Sequence, residues 1–343
     1  MIREPIVIDQ AEISGWQGVS KRAILEDTPL RRELLAVHPA LEKQQCIATP
    51  MAREMYRTFK MAVLLGEQGA YYMGSPDDGR TSALRICMQL LDNEYPKIAS
   101  YYHCSTEVAI LSEKVALQDM LSSVGHEALS GTVIPLRERL VGKIIDDLRR
   151  RGSGHTAVWC VDNAHNMQQR EFEVLADLQH RLWECGVQLL TVMMTDAGSS
   201  ATGNTSNSRS CVALLTHFFR NKLKLRGLSK PEDLCEILDA FDTLDFPEGT
   251  NVRWTEFFLP RAYANGFRLE GEGVHLYEAL ACCFPDPGNA APTMGVLFSA
   301  IRWTLLHSAG FDKGDFHLLP QDWSRAVNYA MFNGHYVPPR LQM

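Results

Sequence analysis

The sequence predicts an α/β fold, a parallel sheet flanked by helices with a small C-terminal helical part, and three observations carry that prediction. Gly74-Ser75-Pro76-Asp77-Asp78-Gly79-Arg80-Thr81 has the spacing of a phosphate-binding loop, G-x-x-x-x-G-K-[ST], with arginine in the lysine position. A continuous apolar run, Thr156–Val161, delivers an acid, Asp162, at its end. Strand-like and helix-like stretches alternate as far as about residue 225, beyond which only helical periodicity remains.

The elements follow in order. Pro5, Pro29, Pro39 and Pro50 break the first fifty residues into short pieces, and an arm is expected over 1–48. Thr49-Pro50 opens a helix with Met55, Phe59, Met61, Ala62, Leu64 and Leu65 at apolar spacing, its proline near the first turn. Residues 69–73 read as a buried strand and Thr81–Leu91 as a helix (Ala83, Leu84, Ile86, Cys87, Leu90, Leu91), so strand, loop and helix come in the order a phosphate loop requires. Lys97–Cys104 reads as a strand, residues 106–122 and 135–151 as helices, 167–184 as a helix and Val187–Met194 as a further buried strand. Residues 196–210 are too polar to pack and are expected to form a mobile loop. Helices are expected at 210–226, 230–241, 253–265, 273–284, 292–308 and 320–332. The expected division is therefore an arm (1–48), a nucleotide-binding α/β domain (49–225) and a helical lid with a C-terminal segment (226–343).

The chemistry follows from the loop. Glycines at its ends let backbone N–H groups turn inward around a phosphate, and the next helix adds the positive end of its dipole. Gly74 through Arg80, with Thr81 and Ser82 in the first helical turn, are the candidate ATP-binding residues. Thr81 supplies the hydroxyl that holds Mg²⁺, whereas Arg80 keeps the charge of the usual lysine but not its compact shape. Pro-Asp-Asp-Gly is also good turn chemistry in its own right. Asp162 reads as the second metal-orienting group, and Asn163 follows it where many P-loop ATPases carry a water-polarising glutamate. An amide cannot accept a proton as a general base. Thr195 ends the third buried run, at the position where P-loop ATPases with an extra strand between these two elements place a residue that contacts the γ-phosphate or the water. His165, two residues beyond Asn163, is read as orienting the turn rather than as a substitute base.

Composition sets outer limits. The chain has 343 residues, is 45% hydrophobic and carries a formal net charge of −7, which does not advertise nucleic-acid binding but leaves room for a local basic strip. Its densest basic cluster, Arg149-Arg150-Arg151, is read first as a solvated helix C-terminus. Nine cysteines without a C-x-x-C pair point to reduced, buried thiols rather than to disulfides or zinc. With no apolar run of membrane length and no leader pattern, a soluble, cytoplasmic protein without a membrane partner is expected.

Over roughly residues 45–335 the chain resembles the AAA+ ATPases of transposition, the TniB/TnsC family, with IstB and MuB as distant relatives. Three stretches carry the resemblance. One is the Thr49-Pro50 helix leading into the loop. Another is Val161-Asp-Asn-Ala-His-Asn166, which is similar to the family's I-D-E-x-H-N with the glutamate replaced. The third is Phe218-Phe-Arg220 with Trp254-Thr-Glu-Phe-Phe-Leu-Pro-Arg-Ala-Tyr263 and Gly266-Phe-Arg-Leu269, which looks like the segment around the lid. The resemblance implies ATP and Mg²⁺ as cofactors and assembly of a homo-oligomeric ring or helical filament on double-stranded DNA. It also implies recruitment of a transposase and, in CRISPR-associated relatives, of a TniQ-type targeting protein. It places the nucleotide between subunits and makes Arg220 the candidate for an arginine supplied in trans. Arg80 and Asn163 together imply slow hydrolysis. They equally suit an alternative, a P-loop adaptor that has lost nucleotide dependence and ATPase activity.

Overall fold

Parallel strands buried on both faces read as unbroken apolar runs, and the sheet of this protein is of that kind. The computed structural model describes residues 19–42, 47–75, 78–107, 112–198, 218–219, 222–283 and 293–332. They fall into two units. One comprises Met51–Pro76 and Ala83–Arg226, and the other Met1–Pro50, Asp77–Ser82 and Gly227–Met343.

In the first unit, β1 (Gly69–Gly74), β2 (Ala99–Cys104), β3 (Thr156–Asp162), β4 (Gln188–Asp196) and β5 (Lys222–Lys224) form one sheet in the order β2-β3-β4-β1-β5. Every neighbouring pair is parallel, which fixes all the strand C-termini at one edge. β4 thus stands between the phosphate-loop strand and the strand that ends in Asp162. Alternate residues of β3 face opposite ways. Ala157, Trp159 and Val161 join a core with the helices Glu113–Ser123, Val133–Arg150 and Gln169–Glu184. Cys160 faces the other side, beside Cys87 of the helix Arg80–Glu94, whose thiol in turn reaches the Ala52 carbonyl of the helix Pro50–Leu64.

Lys222–Lys224 corrects the expected helix over 210–226, of which residues 210–217 and 220–221 lie outside the described residues. The segment is an edge strand on β1, with Tyr71 opposite Lys222 and Met73 opposite Lys224. Lys-Leu-Lys has period two rather than 3.6, and lysines on an edge strand discourage pairing with a further chain.

The second unit is helical, with Pro231–Thr243, Gly273–Cys283, Met294–Ala309 and Pro320–Met331 as its longer helices. The single helix expected over 253–265 is two, Trp254–Phe258 and Pro260–Ala264. Pro260 has no N–H to continue the ladder and excludes helical geometry at Leu259 (φ −129°, ψ 60°). Asp312 takes up the freed donors, accepting from the N–H groups of Arg261 and Ala262 at 2.9 Å each.

The described part of the segment expected as an arm is folded into this unit. Pro29 and Pro39, which read as breakers, are first-turn residues of the helix Pro29–Ala36 and the 3₁₀ turn Pro39–Leu41, capped by Thr28 and His38. Lys21 pairs with Glu256 at 2.7 Å, and a guanidinium N–H of Arg31 donates to the Phe257 carbonyl at 2.7 Å. His38 is fully buried among Phe246, Trp254, Phe257 and Phe258, and its Nδ1 accepts from the Ala40 N–H at 3.1 Å.

Burial among those rings pushes the His38 imidazole down from 6.5 to about 3. The unfolded chain therefore binds a proton that the folded one refuses. The stability owed to the neutral ring is complete above pH 6.5 and is lost as the pH falls toward 3, by up to about 1.4 kcal/mol per pH unit. Denaturant midpoints measured from pH 7 to pH 4 should show that slope. His38→Asn, which keeps a capping acceptor but cannot titrate there, should flatten it by close to one proton.

Of the nine cysteines, Cys87 and Cys160 are buried as expected, but Cys104, Cys185 and Cys282 are exposed. Cys104 ends β2 and Cys185 caps the helix Gln169–Glu184, where periodicity no longer dictates which way a side chain faces. Cys46 and Cys211 lie outside the described residues. Among the described residues no helix is long and apolar enough to cross a membrane.

Candidate functional site

β1 ends at Gly74, whose carbonyl accepts from the Ala197 N–H at 2.8 Å, so the loop leaves the sheet beside the end of β4. Ser75 is exposed and Asp78 half-buried, while Pro76 and Asp77 lie outside the described residues. Gly79 has φ +77°, a conformation open to glycine at no steric cost, and a Cβ there would lie 3.2 Å from Cγ of Met294. The helix then begins at Arg80, so Arg80, Thr81 and Ser82 form its first turn, where N–H groups have no intrahelical acceptor. Nη1 of Arg80 is buried and has no hydrogen-bond partner among the described residues. An orphaned guanidinium donor at the loop's cationic position suits a phosphate oxygen, for which Arg is a forked donor.

At the end of β3, Asp162 is only 2% exposed. Its Oδ2 accepts from the Tyr102 hydroxyl at 2.8 Å and its Oδ1 from the Asn163 N–H at 2.9 Å. Burial and the neighbouring Asp162 carboxylate push the Tyr102 phenol up, which keeps it protonated as the donor. Asn163 itself lies in the left-handed region (φ 53°, ψ 40°), one of the few conformations that Asn tolerates better than most residues. Its amide donates to Sγ of Cys104 at 3.6 Å. Nδ1 of His165 accepts from the Asp196 N–H at 3.4 Å, which ties the turn after β3 to the end of β4. Thr195 is fully buried, its hydroxyl beside the Tyr71 phenol. Arg220 lies outside the described residues.

A polar network that the sequence reading missed supports this turn from beneath. The Ser105 N–H donates to the Asp162 carbonyl at 3.0 Å, Asn166 donates to the Ser105 carbonyl at 3.3 Å, and Ser105 Oγ donates to Glu171 at 3.3 Å. Glu171 also accepts from the Gln168 N–H at 2.8 Å and stands 3.8 Å from Nε2 of His103, whose Nδ1 meets Ser123 Oγ at 2.9 Å. The available signal was one acid, Glu171, on the apolar face of its helix, and one histidine in a buried strand. Arg149 and Arg150 pair with Asp146 and Asp147, and Arg151 with Asp92, which matches the solvated helix end first read from the sequence.

The donor set at β3 fits Mg²⁺. The Asp162 carboxylate is hard oxygen chemistry of the kind Mg²⁺ takes, Mg²⁺ keeps most of its waters, and among the described residues no cluster of three His, Cys, Asp or Glu offers a richer cage. Asn163 supplies no carboxylate to activate water.

No protein-family model matches the chain, and no curated protein matches its sequence. Solved structures do match in fold. The Aeropyrum pernix ORC2 protein, solved in ADPNP and ADP complexes, gives a TM-score of 0.53 at 12% identity over 81% of this chain and 66% of that one. The Aeropyrum pernix ORC1 protein, solved in complex with DNA, gives 0.51 at 13% identity over 86% of this chain and 68% of that one. This chain thus spans about two thirds of the length of the structures it matches. The fold shared with these two structures is a five-stranded parallel sheet flanked by helices together with a helical part.

Proposed function

We propose that this protein binds Mg²⁺-ATP at the loop Gly74–Thr81 and at Asp162, and uses the nucleotide to assemble on double-stranded DNA while hydrolysing it slowly. The observation that carries the reading is the buried Nη1 of Arg80, at the cationic position of the loop, which has no hydrogen-bond partner among the described residues. Gly74, Ser75, Pro76, Asp77, Asp78, Gly79, Arg80, Thr81 and Ser82 would hold the phosphates, with Thr81 and Asp162 toward Mg²⁺ and Thr195 toward the γ-phosphate. When bound, Mg²⁺ would neutralise charge on the phosphate oxygens. The chain's own residues bind and orient, but Asn163 takes no proton. The ADPNP and ADP complexes of one neighbour and the DNA complex of another support a nucleotide-dependent role on DNA. The resemblance in Val161–Asn166 and around Trp254–Leu269 supports a role in transposition, with a homo-oligomeric ring or filament engaging a transposase and a TniQ-type protein, and with Arg220 acting in trans. A second reading, the nucleotide-independent adaptor, is favoured by Arg80 and Asn163.

Thermal unfolding with and without Mg²⁺-ATP separates the two. ATP at a hundred times its dissociation constant should add about 2.7 kcal/mol of stability, and Thr81→Ala should remove the Mg²⁺-dependent part. Negative-stain images should show rings or filaments only with ATP and duplex DNA together, and turnover should stay below about 1 s⁻¹. The absence of any ATP-dependent shift would support the adaptor instead.

A further inference from the structure

We propose that Tyr102 is the positioning residue for the Mg²⁺-nucleotide at Asp162, and that Arg85 holds Tyr102 in place. The inference rests on the nucleotide-binding reading above and names a residue that the sequence motifs do not contain. A carboxylate at a strand end can rotate about its side-chain bonds, whereas a group that orients metal-bound water must keep one edge in one place. Here both oxygens are fixed, Oδ2 by the Tyr102 hydroxyl at 2.8 Å and Oδ1 by the Asn163 N–H at 2.9 Å.

The register explains why tyrosine is needed. Tyr102 lies opposite Cys160, and Cys104 lies opposite Asp162, so Tyr102 starts two residues short of the carboxylate it holds. Two residues along a strand is roughly 6.6 Å on the same face, a gap that a phenol spans and a serine or threonine hydroxyl does not. The ring is fixed in turn by the guanidinium of Arg85, which stands 4.9 Å from its centroid. Arg85 lies on the helix that the phosphate loop opens, one turn after Thr81. The chain Arg85, Tyr102, Asp162 therefore connects that helix to the end of β3 through side chains alone. Hydrogen-bonded partners of metal-orienting groups commonly carry about 10–100-fold in metal affinity when removed, because they set orientation rather than supply charge.

The test is the ratio of affinities for a fluorescent ATP analogue in Mg²⁺ and in EDTA, measured on the full chain. Tyr102→Phe keeps the ring and the cation–π contact and removes only the donor. It should lower the Mg²⁺:EDTA ratio about 10-fold and leave the EDTA affinity unchanged. Arg85→Gln should lower the ratio by a smaller factor. In an Asp162→Asn background Tyr102→Phe should change nothing further, as expected for residues acting through one group. A wild-type ratio that survives Tyr102→Phe overturns the assignment of Tyr102 alone. Wild-type protein that binds equally well in Mg²⁺ and EDTA also overturns it, and wild-type protein that binds in neither overturns the nucleotide-binding reading with it.

Discussion

Trp159→Ala should cost about 3–5 kcal/mol of stability, and Trp159→Phe less than about 2 kcal/mol. Trp159 is fully buried in the middle of β3, with ring centroids 5.8 Å from Tyr101 and 6.0 Å from His103. Truncation to alanine opens a cavity under the sheet and forfeits both the transfer free energy and the ring contacts. Phenylalanine keeps most of the apolar volume. It also removes Nε1, which is buried with no hydrogen-bond partner among the described residues, so no hydrogen bond is lost and an unsatisfied donor disappears. Since small domains hold only about 5–15 kcal/mol in all, the alanine variant should stand near its unfolding midpoint under mild denaturant while the phenylalanine variant unfolds almost like wild type. Urea titrations followed by circular dichroism distinguish the two. Equal losses for both substitutions would mean that Nε1 has an acceptor.

What the sequence made legible follows physical strength. β1, β3 and β4 are buried on both faces, so apolar runs were their only workable composition, and their ends at Gly74, Asp162 and Asp196 were readable to within two residues. Lys222–Lys224 was not, because three residues with one apolar side chain carry almost no periodic signal and owe their conformation to pairing with β1. The N-terminal pieces were misread for the opposite reason. Their prolines punctuate, but His38 is buried against aromatic rings more than two hundred residues along the chain, which local pattern cannot report. At the proposed site, Thr81, Asp162 and Asn163 could be proposed from the sequence because fixed spacing carries the motif. Tyr102 could not, since its role comes from register across two strands, a relation that exists only once the sheet is paired.

Asn163→Glu should raise ATP turnover about 10²-fold if the missing carboxylate is what limits hydrolysis, the lower end of what a positioned general base contributes. The backbone opposes the same change. Asn163 sits at φ 53° and ψ 40°, where asparagine is tolerated and glutamate costs roughly 1–2 kcal/mol, and its amide contact with Cys104 would be lost. The variant should therefore be faster and less stable at once, a pairing that neither a purely structural nor a purely catalytic role would give. Asn163 would then be an exchange of turnover for an ordered turn after Asp162, with His165 and Ser105 already tying that turn to β4 and β2. On the proposed function, slow hydrolysis suits a nucleotide that holds an assembly together, and a filament of Asn163→Glu protein on DNA should disassemble faster in ATP than wild type yet persist equally in a non-hydrolysable analogue. Steady-state turnover, thermal midpoints and filament lifetimes in the two nucleotides check the three expectations. Unchanged turnover in a folded Asn163→Glu protein would place the limit on hydrolysis at Arg80 instead, where Arg80→Lys becomes the variant expected to restore it.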